Sequence, residues 1–198
     1  MPVTAAELFL PSDTATDGVV PLAPVSVDGV DAWKDGLTQA HRRWVDLQRF
    51  KAGKATVVTL PDPQGGLAEV ALGLGDDSAA MPDIWAFAAA ADAVPAGDYR
   101  IAETLSAEAA FHAALGWGLA QYRFDRYRHE PAPAPKRLVL PEAVTLDAVT
   151  RAFDALSLVR DLVNTPTEHM GPRQLADEAG ILAQRHHASF RCIEGQHL

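Results

Sequence analysis

The sequence predicts an α/β layered fold, because short β-rich runs alternate with stretches of helical periodicity along most of its length. Three features carry the prediction. Two apolar runs, Ala55–Leu60 and Leu67–Leu74, flank the turn cluster PDPQGG and read as a hairpin. An alanine-rich helical stretch follows, and a strongly periodic segment runs from Leu146 to Val163. The expected architecture is a mixed sheet flanked by helices in an N-terminal α/β domain over residues 1–143, a linker helix over 144–164, and the beginning of a second α/β domain over 165–198.

In chain order, Val19–Val27 (VVPLAPVSV) is β-rich but holds Pro21 and Pro24, which predicts an edge strand or an extended arm. Leu37, Ala40, Trp44 and Leu47 recur at helical spacing with Arg42, Arg43, Asp46 and Arg49 between them. This predicts an amphipathic helix of about three turns, ended by Gly53. Pro82 suits the first turn of the alanine-rich helix, which runs to about Val94 and is closed by PAGD. Tyr99–Glu103 offers a short strand. Ser106 is positioned to cap a helix whose buried stripe is Phe111, Leu115, Leu119 and Tyr122. HEPAPAP, residues 129–135, is a proline-rich connector, and Arg137–Leu140 is a brief strand. Thr145 caps the periodic helix, with Leu146, Val149, Phe153, Leu156, Val159 and Val163 on one face. That helix should end near Asn164, because Thr165 precedes Pro166. Gly171-Pro172 opens a last helix to about His187, and Ala188–Glu194 reads as a strand. A strand so near the last residue has no helix to cover it, which reads as the opening of a domain that has been cut off.

Composition narrows the function classes. The chain has 198 residues, 48% hydrophobic and 22% charged, which suits a real core. Net charge is −9, spread evenly as −5 over residues 1–80 and −4 over 81–198, so nucleic acid is repelled on average. Cys192 is the lone cysteine; an internal disulfide framework is excluded and a reducing compartment fits. The most apolar stretch, Ile84–Val94, is interrupted by Asp92 and falls far short of the ~20 residues of a membrane span. MPVTAAELFL lacks a basic n-region and carries Glu7, so it does not read as a secretory signal. A cytoplasmic location follows by elimination.

Several groupings suggest chemistry and dissolve on inspection. Gly73-x-Gly75 follows a strand, but Ser78 stands where a dinucleotide loop needs its third glycine, so it reads as a turn. His186, His187, Cys192 and His197 are close in sequence, yet adjacent histidines on a helix diverge; a solvated helix end is the reading. Cys192 alternates with Phe190 and Ile193 and reads as a buried structural thiol. Asp76-Asp77 and Asp177-Glu178 read as solvated faces, and neither G-x-S-x-G nor H-E-x-x-H occurs. The run Arg123, Arg126, Arg128, Lys136, Arg137 interleaves with Tyr122, Phe124 and Tyr127, diluted by Asp125 and Glu130. It reads as an arginine-rich helix end with aromatics docked on the core rather than a nucleic-acid groove.

Two segments rise above composition: GWGLAQYRFDRYR (116–128) and RDLVNTPTEHMGPRQLADEA (160–179). Together they resemble the leucyl (cytosol) aminopeptidase family. The matching residues are Tyr122-Arg123-Phe124-Asp125-Arg126-Tyr127, Arg160 through Pro166 with Asn164, and Met170-Gly171-Pro172. His169 departs from the family pattern, which more often has an acidic or amide residue there. In physical terms the second segment is a rigid connector bracketed by Pro166 and Pro172, with Asn164 suited to capping the preceding helix.

The resemblance implies an N-terminal domain, a connecting helix, and the start of a catalytic domain whose enzymes release N-terminal amino acids from peptides with two divalent metals, Mn or Zn. It implies a hexamer in the full-length protein, in which this portion serves assembly or substrate access beside the remainder of its own catalytic domain. The family's metal-binding and catalytic motifs match no position here, so no catalytic and no metal-ligand residue is assigned and this chain alone is expected to be inactive. The competing expectation is a stand-alone α/β module that binds a small ligand, a protein or DNA.

Overall fold

The computed structural model describes residues 4–15, 17–76, 84–128, 131–193 and 195. The chain divides into two compact units, Met1–Ala155 and Leu156–Leu198. The elements in order are α1 (Ala5–Leu8), β1 (Phe9–Leu10), β2 (Val19–Ser26), α2 (Val30–Asp35), α3 (Gln39–Leu47), β3 (Val57–Pro61), β4 (Leu67–Gly75), α4 (Ile84–Ala93), β5 (Gly97–Ile101), α5 (Ala107–Ala120), β6 (Lys136–Val139), α6 (Leu146–Asn164) and α7 (Pro172–Arg185). The expected α/β class holds. Among the described residues, six strands form one mixed sheet in the order β1-β6-β5-β2-β4-β3, all parallel except β3, which closes the expected hairpin antiparallel to β4.

Side chains alternate between the two faces of the sheet, and each face has its own core. Leu22, Val70, Leu72, Tyr99 and Leu138 face α4, α5 and the first half of α6, where Phe87, Trp117, Val149 and Phe153 are buried. Ala23, Val25, Val58, Leu60 and Ala71 face the other way and bury Val45 and Phe50, with Trp33 and Leu37 packed beside them. A parallel sheet covered on both sides explains why β4 reads as nearly continuous apolar sequence.

β2 is the first correction. It is a central strand between β5 and β4, not an edge or an arm. Its prolines are tolerated because the two ladders are staggered. β2 pairs with β5 over Val19–Leu22 and with β4 over Leu22–Ser26. Leu22 accepts from Ala102 of the β5 side, and Val27 donates to Gly75 at the end of β4, so even residues address β5 and odd residues β4. Pro21 therefore aims its missing N–H at β4 before that ladder starts, and Pro24 aims at β5 after that ladder ends.

α3 is the second correction. Val45 is its buried residue, while Leu47 is 77% exposed, so the stripe through Leu37, Ala40, Trp44 and Leu47 is not the inward face. The helix stops at Leu47, ahead of Gly53, and the chain turns through Arg49, Ala52 and Ala55, all at positive φ. The single turn α1, the short β1 and the helix α2 arise where no periodicity predicts them. At α1, the Glu7 carboxylate accepts from the Thr4 N–H (2.8 Å) and hydroxyl (2.9 Å). These bonds favour its charged form and hold it below the usual carboxylate range.

The third correction concerns the tail. Residues 188–193 form no strand, and among the described residues none pairs with them. Phe190 instead stands against Gly180 of α7, 3.5 Å from the place a Cβ would occupy. The expected start of α4 at Pro82, the Ser78 and Asp77 readings, and those at His129, Glu130, Glu194 and His197 lie outside the described residues.

Candidate functional site

The Tyr122–Tyr127 segment leaves the end of α5, and α5 is placed by unusually close packing. Ser106 caps it by accepting from the Ala109 N–H at 3.2 Å, as its sequence predicts. The burial is wider than the expected stripe: Leu115 and Leu119 are buried, Phe111 and Tyr122 only partly, and Ala109, Ala110, Ala113, Ala114 and Trp117 are buried too. Gly116 faces α4, where a Cβ would meet the Ile84 carbonyl group. Gly118 faces the opposite way, where a Cβ would stand 3.0 Å from the Phe9 ring and 3.1 Å from that of Phe153. Trp117, between them, is fully buried, stacks obliquely on Tyr99 with centroids 5.2 Å apart, and donates its indole N–H to the Lys136 carbonyl at 2.8 Å. The GWG run thus lets α5 be approached from two sides while its tryptophan ties it to β6.

Beyond the helix, four basic residues of the run, Arg123, Arg126, Lys136 and Arg137, are engaged. Arg123 pairs with Asp125 at 2.6 Å and donates to the Pro131 carbonyl at 3.3 Å. Phe124 and Tyr127 meet edge to face at 5.7 Å, and Arg126 lies over the Tyr127 ring at 5.9 Å. Lys136 donates to the Ala91 and Asp92 carbonyls at the end of α4. Arg137 makes a two-pronged bond to Asp98, at 2.6 and 2.7 Å, directly across the β5–β6 register. Cations committed in this way offer little to a phosphate backbone.

The connector segment lies in the second unit. Arg160 is half-buried near the end of α6, and Asn164 is its last residue, exposed and not at positive φ. Thr165 follows it and is buried, and its N–H and hydroxyl both bond the Asp161 carbonyl, at 3.0 and 2.7 Å. Pro166 and Pro172 are exposed, and Pro172 occupies the first turn of α7 after Gly171. The α6 stripe changes character along its length. Val149 and Phe153 are buried, whereas Leu156, Val159 and Val163 are 40, 56 and 78% exposed.

A half-open cleft of about 540 Å³ sits at the carboxyl ends of β5 and β6, where parallel sheets commonly hold ligands. Ser12, Arg100, Glu103, Leu105, Leu140 and Glu142 contribute to its lining. Arg100 donates to the Ser12 and Thr14 carbonyls, at 3.2 and 2.5 Å, and its Nε is buried without a hydrogen-bond partner. The sequence gives little sign of this cleft, since its walls come from three separate loops. The alternation Asp98-Tyr99-Arg100 opposite Arg137-Leu138-Val139 is the nearest signal, with Tyr99 and Leu138 buried between the charged positions.

The remaining candidates scatter. His186 ends α7 and His187 takes a positive φ beyond it, both in solvent. Cys192 is exposed rather than buried, because the strand that would have carried it inward does not form. Gly73 lies within β4, where a Cβ would strike Gly53 and Thr56, which accounts for it without a nucleotide. Among the described residues, no three His, Cys, Asp or Glu side chains gather where one ion could sit. No helix among them is long and apolar enough to cross a membrane.

What the fold defines, then, is an α/β domain whose polar groups brace its own strands and helix ends. The family model described as M17 aminopeptidase, N-terminal domain, matches residues 20–141, and the chain belongs to that family. Two curated proteins, probable cytosol aminopeptidases of Leifsonia xyli subsp. xyli and Rhodococcus jostii, are 31% and 29% identical over 87% and 67% of this chain. The matches cover 37% and 29% of those proteins, so the chain spans about a third of the length of the curated relatives it matches. Among solved structures, the cytosol aminopeptidase of Coxiella burnetii aligns over 95% of this chain and 40% of its own, with 27% identity and a TM-score of 0.78. The bottromycin maturation enzyme BotP in complex with Mn aligns over 91% of this chain and 39% of its own, with 26% identity and a TM-score of 0.70.

Proposed function

We propose that this chain is the N-terminal portion of a leucyl-type aminopeptidase, a cytoplasmic hydrolase that releases N-terminal amino acids from peptides with two divalent metals, manganese or zinc. The observation that carries the reading is the family match over residues 20–141 within a fold that follows a cytosol aminopeptidase along 95% of the chain. In the proposed enzyme the metals and the chemistry belong to the catalytic domain, and this portion is inactive alone.

Its role is then one of assembly and access. Residues 1–143 form the non-catalytic domain, 144–164 the linker helix and 165–198 the start of the catalytic domain. Arg160, Asn164, Pro166 and Pro172 stiffen the connection, while Tyr122, Arg123, Phe124, Asp125 and Tyr127 fix the end of α5. The partners are the rest of its own catalytic domain and further copies in a hexamer. The exposed apolar side of α6, from Leu156 to Val163, supports a partner on that helix.

The test is hydrolysis of leucine p-nitroanilide with added manganese, by this chain and by a polypeptide that joins it to an M17 catalytic domain. Turnover by the joined protein and none by the chain is the expected result. Manganese-dependent turnover by the purified chain would overturn the assignment of chemistry elsewhere. A second reading, a module for a small ligand, draws on the cleft beside Arg100. It predicts a ligand-induced rise in melting temperature that Arg100→Ala abolishes.

A further inference from the structure

β3 is an edge strand, and one side of its backbone faces away from the sheet. The Gly73 N–H donates to the Thr56 carbonyl, and Val57 lies opposite Leu72, so Thr56, Val58 and Leu60 address β4 while Val57 and Thr59 address the outside. Such a row of outward groups is a template for another strand. The usual deterrents are sparse: Ala55–Leu60 carries no charge, and the register shift and Pro61 come only at its far end. Its residues, Ala-Thr-Val-Val-Thr-Leu, are those that pair readily. The opposite edge, β1, is two residues long and offers no comparable template.

α3 covers what the strand leaves open. It packs against β3, and two of its side chains bond the strand's backbone. Trp44 donates its indole N–H to the outward Thr59 carbonyl at 3.0 Å, and His41 Nε2 meets the Pro61 carbonyl at 2.9 Å. A carbonyl only accepts, so His41 carries its proton on Nε2 in this contact. This explains why Trp44 stays 40% exposed on a helix whose core residue is Val45: its ring lies along the edge instead of entering the core.

We propose that α3 is an edge guard, and that the strand it excludes is β3 of a second copy of this chain. Antiparallel pairing of two such edges about Thr59 is two-fold symmetric and self-complementary, which one sequence can satisfy alone. Trp44 and His41 hold the acceptors that this pairing would use.

The test measures self-association by light scattering after gel filtration, across a wide range of concentration. His41→Ala with Trp44→Phe removes both donors, and Trp44→Phe alone keeps the ring in case the double variant does not fold. The expected result is association about tenfold stronger than in the unaltered chain. Adding Val57→Pro, which removes an outward N–H and leaves the bonds to β4 intact, should return association to its starting level. Unchanged association in a variant with native circular dichroism would overturn the proposal. So would a gain that survives Val57→Pro, since that association would arise elsewhere on the surface.

Discussion

Substituting Gly116 by alanine tests the packing of α5 most directly. On an exposed helix the change would stabilise by about 1 kcal/mol, because alanine is the better helix former. Here the new Cβ would stand 2.9 Å from the Ile84 carbonyl carbon and 3.3 Å from its Cα, closer still to its oxygen. The carbonyl oxygen is the nearest atom, and ordinary C···O contacts lie at about 3.3–3.6 Å, so α4 and α5 would have to part by more than about 1 Å. The obstacle is backbone, which no rotamer change can move. Overpacking of this kind costs about 1–3 kcal/mol, and the upper half of that range applies because Ala110, Ala113 and Phe87 pack in the same core. The expected net loss is about 1–2 kcal/mol after the propensity gain. Gly180→Ala in α7 is the matched control. Its Cβ would meet the Phe190 ring at 3.5 Å, an ordinary contact, and should stabilise by about 0.5–1 kcal/mol. Urea unfolding followed by near-ultraviolet dichroism of Trp117 measures the first, and far-ultraviolet dichroism the second. If Gly116→Ala proves as stable as the unaltered chain, the close approach of α4 and α5 is wrong.

Tyr99 is 1% exposed and donates to the Pro95 carbonyl at 2.7 Å; burial, assisted by Asp98, pushes its hydroxyl up to about 12. Its ordinary value is about 10, so its contribution is intact below pH 10 and is lost as pH rises from 10 towards 12, by about 2–3 kcal/mol. Alkaline unfolding should move to higher pH in Tyr99→Phe, as read by melting temperature against pH. Arg137→Ala should cost less than about 1 kcal/mol despite its two-pronged bond to Asp98, because that side chain is 44% exposed and screened by water. Denaturant titration at low and high salt checks this; a loss of several kcal/mol would mean the pair is effectively buried.

Much of the fold is legible in the sequence where local chemistry decides it. Ser106 and Thr145 act as caps, PDPQGG makes the hairpin, and Pro172 opens α7, because caps and turns depend on neighbours a few residues away. β2 was not legible. A proline is judged against a strand as a whole, whereas here it matters which neighbour each residue addresses and where each ladder stops. The inward face of α3 failed for a related reason: Trp44 satisfies its N–H at a strand edge, a contact that periodicity cannot foresee. The Tyr122–Tyr127 and Arg160–Pro172 segments were legible as patterns. The cleft was not, because Ser12, Arg100 and Glu142 come together only through the parallel order of β1, β6 and β5.

The staggered ladders of β2 have a mechanical consequence. Leu22 is the one residue of that strand paired on both sides, to Ile101 and to Val70. The sheet is therefore two plates, β1-β6-β5 and β4-β3, riveted along a single strand that grips one plate with its first half and the other with its second. A load that draws the plates apart along β2 meets two short zippers joined end to end, not one long one. Shear resistance should be set by whichever zipper is shorter, the four pairs with β5, and the break should start there.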